Sequence, residues 1–118
     1  MHARPHYKLE AWKHAMELVK LVYRWSANFP DSEKFNLAAQ IRRAAVSVPS
    51  NIAEGAARQS QKDFARFINI AMGSLSEIET QYLIAISLGF AKPDQNLECH
   101  FRNTSRLLSG LHKRYTHT

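Results

Sequence analysis

Basic side chains recur along this sequence at spacings that suit contact with phosphate groups. Arg58, Lys62 and Arg66 fall near one line across a predicted junction between two helices, and Arg102 and Arg106 are four residues apart further on. Charges spread in this way suit contacts with the nucleic-acid backbone, which position a strand without reading its sequence. The candidate phosphate-binding residues are Arg42, Arg43, Arg58, Lys62, Arg66, Arg102, Arg106, Lys113 and Arg114.

The same charges also suit an ordinary solvated surface held by local ion pairs. Glu54 precedes Arg58 by four residues, which is the more favourable orientation for an ion pair on a helix. Arg43 is as well placed for pairing with Glu54 or Glu77 as it is for binding phosphate. Both interpretations stay open from the sequence alone.

Other kinds of chemistry have little support. Di-iron bundles carry Glu-x-x-His motifs, but the third residue after Glu10, Glu77 and Glu79 is never a histidine. Cys99 has no evident histidine partner except its neighbour His100, whose side chain points about 100° away on a helix. The sequence also lacks a glycine-rich loop that could cradle phosphate. We therefore expect a protein without enzymatic activity, metal or cofactor.

Composition and charge indicate the class of protein. The chain has 118 residues, of which 45% are hydrophobic, and its formal net charge is +6. These values are typical of one globular domain, and the basic balance favours nucleic acid as a partner. The apolar stretch at 82–90 is too short to span a bilayer, and the first residues lack the apolar core of a secretion signal. With one cysteine, we expect a cytoplasmic protein that does not bind membranes.

Four long amphipathic segments predict four helices. They run roughly from Leu9 to Phe29, from Phe35 to Arg58, from Ser60 to Gly89 and from Pro93 to Tyr115. Because short connections favour antiparallel neighbours, we expect an all-α fold, an antiparallel up-down four-helix bundle. The single domain would occupy residues 7–115, with flexible ends at 1–6 and 116–118.

The predicted core follows the helical period of 3.6 residues. Its positions are Trp12, Met16, Val19 and Tyr23 in the first helix; Ile41, Ala45, Val48 and Ile52 in the second; Phe64, Ile68, Ala71, Leu75, Ile78, Tyr82 and Ala85 in the third; and Leu97, Phe101, Thr104, Leu108, Leu111 and Tyr115 in the fourth.

A helix-breaking residue lies inside the second predicted helix. In QIRRAAVSVPSNIAEGAAR, residues 40–58, Pro49 removes a backbone donor and Gly55 follows six residues later. Polar side chains beside the gap, including Asn51, can supply local hydrogen bonds, so we expect the helix to kink at Pro49. Gly55 would then allow a close backbone approach. A functional site built on Asn51 and Glu54 is the alternative interpretation.

Two further patterns concern contacts between helices. The segment GSLSE, which contains Gly73, Ser74 and Glu77, predicts small residues for close helix contact together with a polar seam. Apolar residues outside the core stripes indicate that the chain associates with itself. The candidate interface residues are Val46, Ala53, Phe67 and Ile70.

Three stretches resemble a known family. YKLEAWKHAMELV at 7–19, SVPSNIAEGAAR at 47–58 and DFARFINIAMGSLSEIET at 63–80 are similar to the four-helix bundle family of 23S ribosomal RNA intervening-sequence proteins. That family includes the accessory variability protein of diversity-generating retroelements. The resemblance implies a cytoplasmic bundle that assembles as a homopentamer and binds nucleic acid through a basic surface. The retroelement member also implies a reverse transcriptase as a partner.

These features predict a non-enzymatic, oligomeric, basic bundle that binds nucleic acid, RNA favoured over DNA, with low sequence specificity. The ligand would be structured RNA or an RNA–protein complex. The alternative is a ring that docks a polymerase such as a reverse transcriptase and does not bind nucleic acid directly. Since most aromatic residues lie on core stripes, we expect no exposed platform on which unpaired bases could stack.

Overall fold

The computed structural model describes residues 4–116, which form helices joined by turns. The helices are α1 (Glu10–Ser26), α2 (Leu37–Ala56), α3 (Gln61–Ser87) and α4 (Gln95–Thr116), with short 3₁₀ turns at Pro5–Lys8 and Asp31–Glu33. No strand occurs in this described part of the chain. The predicted all-α fold with four helices is therefore confirmed.

The chain ends were predicted to be flexible at 1–6 and 116–118. Pro5 and His6 belong to the first 3₁₀ turn, where the His6 ring lies 5.0 Å from the Trp12 ring between centroids. Thr116 is the last residue of α4. The remaining parts of that prediction, residues 1–3 and 117–118, lie outside the described residues.

The backbone of each helix lies beside two neighbours. Within residues 4–116 the adjacent pairs are α1–α2, α2–α3, α3–α4 and α1–α4, and across the diagonal the contact is between side chains, as between the Trp25 and Tyr82 rings, 4.7 Å apart between centroids. Consecutive helices are thus adjacent and α4 closes against α1, an arrangement consistent with the predicted up-down bundle. The molecule is elongated, with extents of 46 × 31 × 21 Å.

Three of the four predicted core stripes are the observed ones. All predicted core positions on α2 and α3 are buried, as are Leu97, Phe101, Thr104 and Leu108 on α4. The last two predicted positions, Leu111 and Tyr115, are half-buried and pack against this core. The helical period therefore identifies the inward faces of α2, α3 and α4.

The predicted stripe on α1 is only half right. Trp12 and Val19 are half-buried and pack against the core, but Met16 and Tyr23 are exposed by 39% and 42%. The buried positions are Ala11, Ala15, Leu18, Val22 and Trp25. Alanines at the first two of these positions let α1 lie close to its neighbours, and their small side chains make that face less conspicuous in the sequence than the larger residues beside it.

Helix α2 continues through Pro49 without interruption. Proline has no N–H to donate to the preceding turn, and polar side chains bond to the carbonyls beside that gap. Ser50 Oγ donates to the carbonyl of Val46 at 2.8 Å, and Asn51 Nδ2 donates to the carbonyl of Ser47 at 2.8 Å. Local side-chain hydrogen bonds thus accompany the proline as expected, while the kink itself stays a prediction.

Helix α3 is capped at both ends by the two residues, Ser60 and Gly89, that bounded it in the sequence prediction. Ser60 Oγ accepts a hydrogen bond from the Asp63 N–H at 3.0 Å, which caps the first turn. Gly89 adopts a φ of +76°, and the Phe90 N–H reaches back to the Ala85 carbonyl at 2.8 Å. This is a Schellman termination, in which glycine adopts the left-handed conformation without a steric penalty.

Helices α2 and α3 approach each other closely at Gly55. A Cβ atom on this residue would lie 2.7 Å from Phe67 Cβ and 2.9 Å from Phe64 Cδ1. A Cβ atom at Gly73 would meet nothing within 4 Å. Glycine is therefore required by packing within the chain at the first position and not at the second.

Gly55→Ala is expected to lower the free energy of unfolding by about 1–3 kcal/mol, because the added methyl group overpacks the contact with α3. Gly73→Ala is the matched control and should raise it by up to about 1 kcal/mol, since alanine is the better helix former. Urea denaturation followed by circular dichroism measures both. Equal shifts for the two variants would contradict the close approach at Gly55.

Candidate nucleic-acid interface

One end of the bundle gathers positive charge from the α2–α3 connection and the last turns of α4. The rings of Phe64 and Tyr115 lie 4.6 Å apart between centroids, which places the end of α4 beside the start of α3. A groove of about 430 Å³ next to this contact is lined by Lys62 and Arg66 from α3 and by His112 from α4. Five predicted phosphate-binding residues lie here and define the basic end: Arg58, Lys62, Arg66, Lys113 and Arg114.

Two arginines of the basic end lie over one aromatic ring. Phe67 is only 7% exposed, and the guanidinium carbons of Arg58 and Arg66 are 5.0 and 4.5 Å from its ring centroid. Glu54 pairs with Arg58 at 2.9 Å, as predicted, and Asp63 pairs with Arg66 at 3.5 Å. Solvent-exposed ion pairs contribute little to stability, so an incoming phosphate can displace these carboxylates at small cost.

The lysines of the basic end carry no local counter-charge. No described carboxylate lies within 4.0 Å of the ammonium group of Lys62 or Lys113. Both side chains are exposed. The basic end therefore combines two arginines with fixed orientation and two lysines that are free to reach a ligand.

Arg102 and Arg106 lie elsewhere, at a groove of about 600 Å³ between α3 and α4. We call it the α3–α4 groove. Behind it the buried Tyr82 hydroxyl donates to Glu98 Oε2 at 2.6 Å and accepts from the Asp94 N–H at 2.8 Å. Burial, and next the hydrogen bond to Glu98, raises the pKa of Tyr82 to about 12.

Residues that could hold a metal are sparse. His14 and His100, which look isolated in the sequence, face each other across α1 and α4 with ring centroids 6.2 Å apart. Within residues 4–116, no group of three or more histidine, cysteine, aspartate and glutamate side chains is placed to bind a metal ion. In the same residues, no helix has both the length and the apolar character needed to cross a membrane.

Comparison with protein families matches residues 7–110 to the family described as 23S rRNA-intervening sequence protein. The chain belongs to this family. The match covers nearly all of the four helices, and it agrees with the resemblance noted in the sequence. The family description names no enzymatic activity. A comparison with curated proteins gives no match.

The last two predicted phosphate-binding residues of this intervening-sequence protein, Arg42 and Arg43, lie on α2. Arg42 donates to Ser26 Oγ at 2.8 Å and to the Tyr23 carbonyl at 3.2 Å, and its guanidinium lies 4.8 Å from the Tyr23 ring centroid. Arg42 therefore ties α2 to the end of α1. Arg43 lines a groove of about 510 Å³ between α2 and α3 that also contains Glu77, although no described carboxylate lies within 4.0 Å of it.

The motif residues of α2 and α3 form a polar seam. Asn51 Nδ2 donates to Ser47 Oγ at 2.9 Å, and Ser47 Oγ is 2.8 Å from Ser74 Oγ. This chain of hydrogen bonds links the two helices beside Pro49. It gives Asn51 and Ser74 a packing role, while Gly73 is exposed.

The four candidate interface residues differ in exposure. Val46 and Ile70 are each 42% exposed, and Ala53 is half-buried. Phe67 is buried within the chain, between Gly55 and the guanidinium groups of Arg58 and Arg66. Its position off the main stripe therefore has an explanation that needs no second subunit.

Phe35 is an exposed aromatic residue that the sequence pattern did not single out. Its side chain is 89% exposed, and the Lys34 ammonium lies 5.5 Å from its ring centroid. Phe35 was the predicted first residue of the second helix, but α2 begins only at Leu37, which is buried. An exposed aromatic ring is thus available to a partner at the end opposite the basic end.

Tyr82→Phe is expected to lower the free energy of unfolding by about 1–3 kcal/mol, because the Asp94 N–H and Glu98 lose a buried partner. Since the folded-state pKa of Tyr82 is raised to about 12, its stabilisation is present below the unfolded value of about 10 and is lost as the pH rises between these values. Urea titrations at pH 9 to 12 should show a smaller loss in the variant than in the wild type.

Tyr23→Phe is the matched control, because Tyr23 is exposed and its hydroxyl makes no hydrogen bond to the described residues. This variant should keep the stability and the alkaline loss of the wild type. An alkaline loss in Tyr82→Phe as large as that of the wild type would show that the buried hydroxyl does not control it.

Proposed function

We propose that this protein binds nucleic acid without catalysing a reaction, with structured RNA, alone or in an RNA–protein complex, favoured over DNA. The basic end would contact phosphates and give affinity with low sequence specificity. The observation that carries the proposal is that one end of the bundle holds five cations from the α2–α3 connection, α3 and α4, with Arg58 and Arg66 over the Phe67 ring and Arg114 over the Tyr115 ring. The family description refers to 23S rRNA, which favours RNA as the ligand.

The orientation of the arginines supports phosphate binding. A guanidinium group over an aromatic ring keeps its edge N–H groups available, and that edge matches two phosphate oxygens. The side chains of Arg58 and Arg66 stay 44% and 57% exposed in this arrangement. The N-terminus of α3 lies at the same end, and the partial positive charge of a helix N-terminus also favours an anion.

Self-association is part of the proposal. The family resemblance implies a homopentamer, and the exposed Val46 and Ile70 on adjacent helices are apolar positions that a subunit contact would cover. Repetition of the basic end in an assembly would strengthen binding to one long ligand by avidity. We place this assembly in the cytoplasm, as the sequence led us to expect.

A second candidate function is docking of a protein such as a reverse transcriptase, without direct contact to nucleic acid. Exposed apolar side chains favour it: Phe35 is 89% exposed, Leu83 63% and Leu88 60%. Exposed apolar patches commonly mark protein interfaces. Binding through such a surface would respond little to salt, whereas phosphate binding weakens steeply as salt rises.

A double variant, Lys62→Gln with Lys113→Gln, tests the basic end. Fluorescence anisotropy would follow binding to a structured 23S rRNA fragment and to a DNA duplex of equal length, at salt concentrations of about 50 and 200 mM. Loss of two phosphate contacts should weaken binding to both and reduce the slope of log K against log salt by about 1.5–2. Wild-type protein should bind the RNA more tightly than the DNA.

The control is Lys34→Gln with Lys92→Gln, which removes the same charge from the opposite end of the bundle. It should keep the wild-type salt slope and most of the affinity. Equal weakening by both double variants would place the site outside the basic end. No binding of either nucleic acid by the wild type at the lower salt concentration would overturn the proposed function and favour a protein partner.

Val46→Glu combined with Ile70→Glu tests the assembly. The two carboxylates should prevent burial of this surface, so sedimentation velocity is expected to show smaller particles with unchanged helical content. Met16→Glu, on a residue that is 39% exposed on α1, is the control and should leave the assembly intact. A wild-type protein that sediments as a single chain would refute self-association.

A further inference from the structure

The α3–α4 groove combines an apolar surface with a basic rim. Leu83 and Ile86 on α3 and the buried Phe101 on α4 form its apolar part, and Arg102 and Arg106 line it one turn apart on α4. Its volume of about 600 Å³ falls within the range of small-molecule sites in proteins. The basic end lies at the other end of α3, so the groove is a separate feature.

Both guanidinium groups in the groove lack a counter-ion among the described residues. Glu98 precedes Arg102 by four residues, in the favourable orientation for an ion pair, but it accepts the Tyr82 hydroxyl at 2.6 Å instead. No described carboxylate lies within 4.0 Å of Arg102 or Arg106. The rim therefore presents two unpaired positive charges next to apolar surface.

One further carboxyl group, that of Glu79 on α3, lines the groove. Burial raises the pKa of Glu79, because desolvation disfavours its charged form. Glu79 is therefore protonated more readily than an ordinary glutamate, and its protonation would remove a negative charge that opposes the binding of an anion to the arginines. This carboxyl group gives the groove a built-in dependence on pH, with anions favoured as the pH falls.

We propose that the α3–α4 groove binds a small amphipathic anion, with its apolar body against Leu83, Ile86 and Phe101 and its acidic group on Arg102 and Arg106. Each half of the site selects against a different ligand. A polyphosphate would leave the apolar surface exposed to water, and an uncharged apolar molecule would leave the arginines unpaired. Unpaired RNA bases are disfavoured because the aromatic rings here, Tyr82 and Phe101, are buried and offer no face for stacking.

Two fluorescent probes that differ by one group test the proposal. 8-Anilinonaphthalene-1-sulfonate carries an anionic sulfonate, and N-phenyl-1-naphthylamine is the same ring system without it. Titration of the full-length protein at pH 7 should show one saturable site per chain for the sulfonate, bound about tenfold more tightly than the uncharged probe. Displacement of the sulfonate by decanoate or by 1-naphthyl phosphate then distinguishes fatty carboxylates from aromatic phosphates as the natural class.

Variants of the groove should act in opposite directions. Arg102→Gln with Arg106→Gln should reduce sulfonate binding to the level of the uncharged probe and leave the uncharged probe unaffected. Glu79→Gln should tighten sulfonate binding several-fold at pH 7 and reduce the further tightening that the wild type shows as the pH falls. A general loss of structure cannot produce effects of opposite sign. Arg24→Gln with Arg43→Gln, which removes two charges outside the groove, is the control and should change neither probe.

Three results would overturn the proposal. The first is equal affinity for both probes, and the second is a sulfonate affinity that Arg102→Gln with Arg106→Gln does not change. The third is probe binding that appears only when sedimentation shows the assembly dissociating, because the groove would then be a contact between subunits. The RNA-binding test at the basic end is unaffected by any of these results, so failure of one proposal does not decide the other.

Discussion

The contact between Gly55 and the aromatic residues of α3 is the constraint on which the rest of the structure depends. With no Cβ on Gly55, the end of α2 comes within van der Waals distance of Phe64 and Phe67. Phe67 is thereby buried against α2 although it lies off the main stripe of α3, and its free face lies under Arg58 and Arg66. Phe64 in turn contacts Tyr115, which fixes the end of α4. One missing side chain thus determines how three helices meet and where their charges gather.

The structure divides the arginines by what surrounds them. Arg42 is engaged by Ser26 and by a carbonyl at the C-terminal end of α1, where a cation also complements the helix dipole. Arg58 and Arg66 have their carboxylates on neighbouring turns and remain half-exposed. Glu98 lies one turn before Arg102 in the same way, but it accepts a hydrogen bond from the Tyr82 hydroxyl and does not pair with Arg102. An arginine therefore ties two helices together, lies half-exposed over an aromatic ring as a proposed phosphate contact, or lines a groove, and its position in the fold decides which.

Much of this fold could be predicted from the sequence because long helices repeat one physical rule. The regular spacing of large apolar residues on α3 identified its buried face, and Ser60 and Gly89 marked its ends. The rule failed on α1, where Ala11 and Ala15 form part of the buried face. Small residues bring helices together without adding much to an apolar pattern, so periodicity alone favours the bulkier stripe beside them.

The candidate sites were less predictable because they depend on contacts between residues far apart in the chain. The local Glu54–Arg58 pair could be found by counting four residues along a helix, and it is present. The same spacing of four residues would predict an ion pair between Glu98 and Arg102. Only the fold shows that the hydroxyl of Tyr82, on another helix, donates to that carboxylate. Likewise, Phe67 looked available for a subunit contact until Gly55 and two arginines were seen to cover it.

The distance between the two proposed sites has a consequence for how they work together. Arg106 of the groove and Lys113 of the basic end are seven residues apart on α4, which corresponds to about 10 Å along the helix. Charges on the surface are largely screened beyond about 8 Å at physiological ionic strength. An anion in the α3–α4 groove therefore changes the field at the basic end very little. Strong coupling between the sites would have to pass through packing, and the close contact at Gly55 joins α3 to α2. A ligand of the groove that alters RNA affinity would thus imply a shift of α3 against α2, and Gly55→Ala, which loosens that contact, would weaken such coupling.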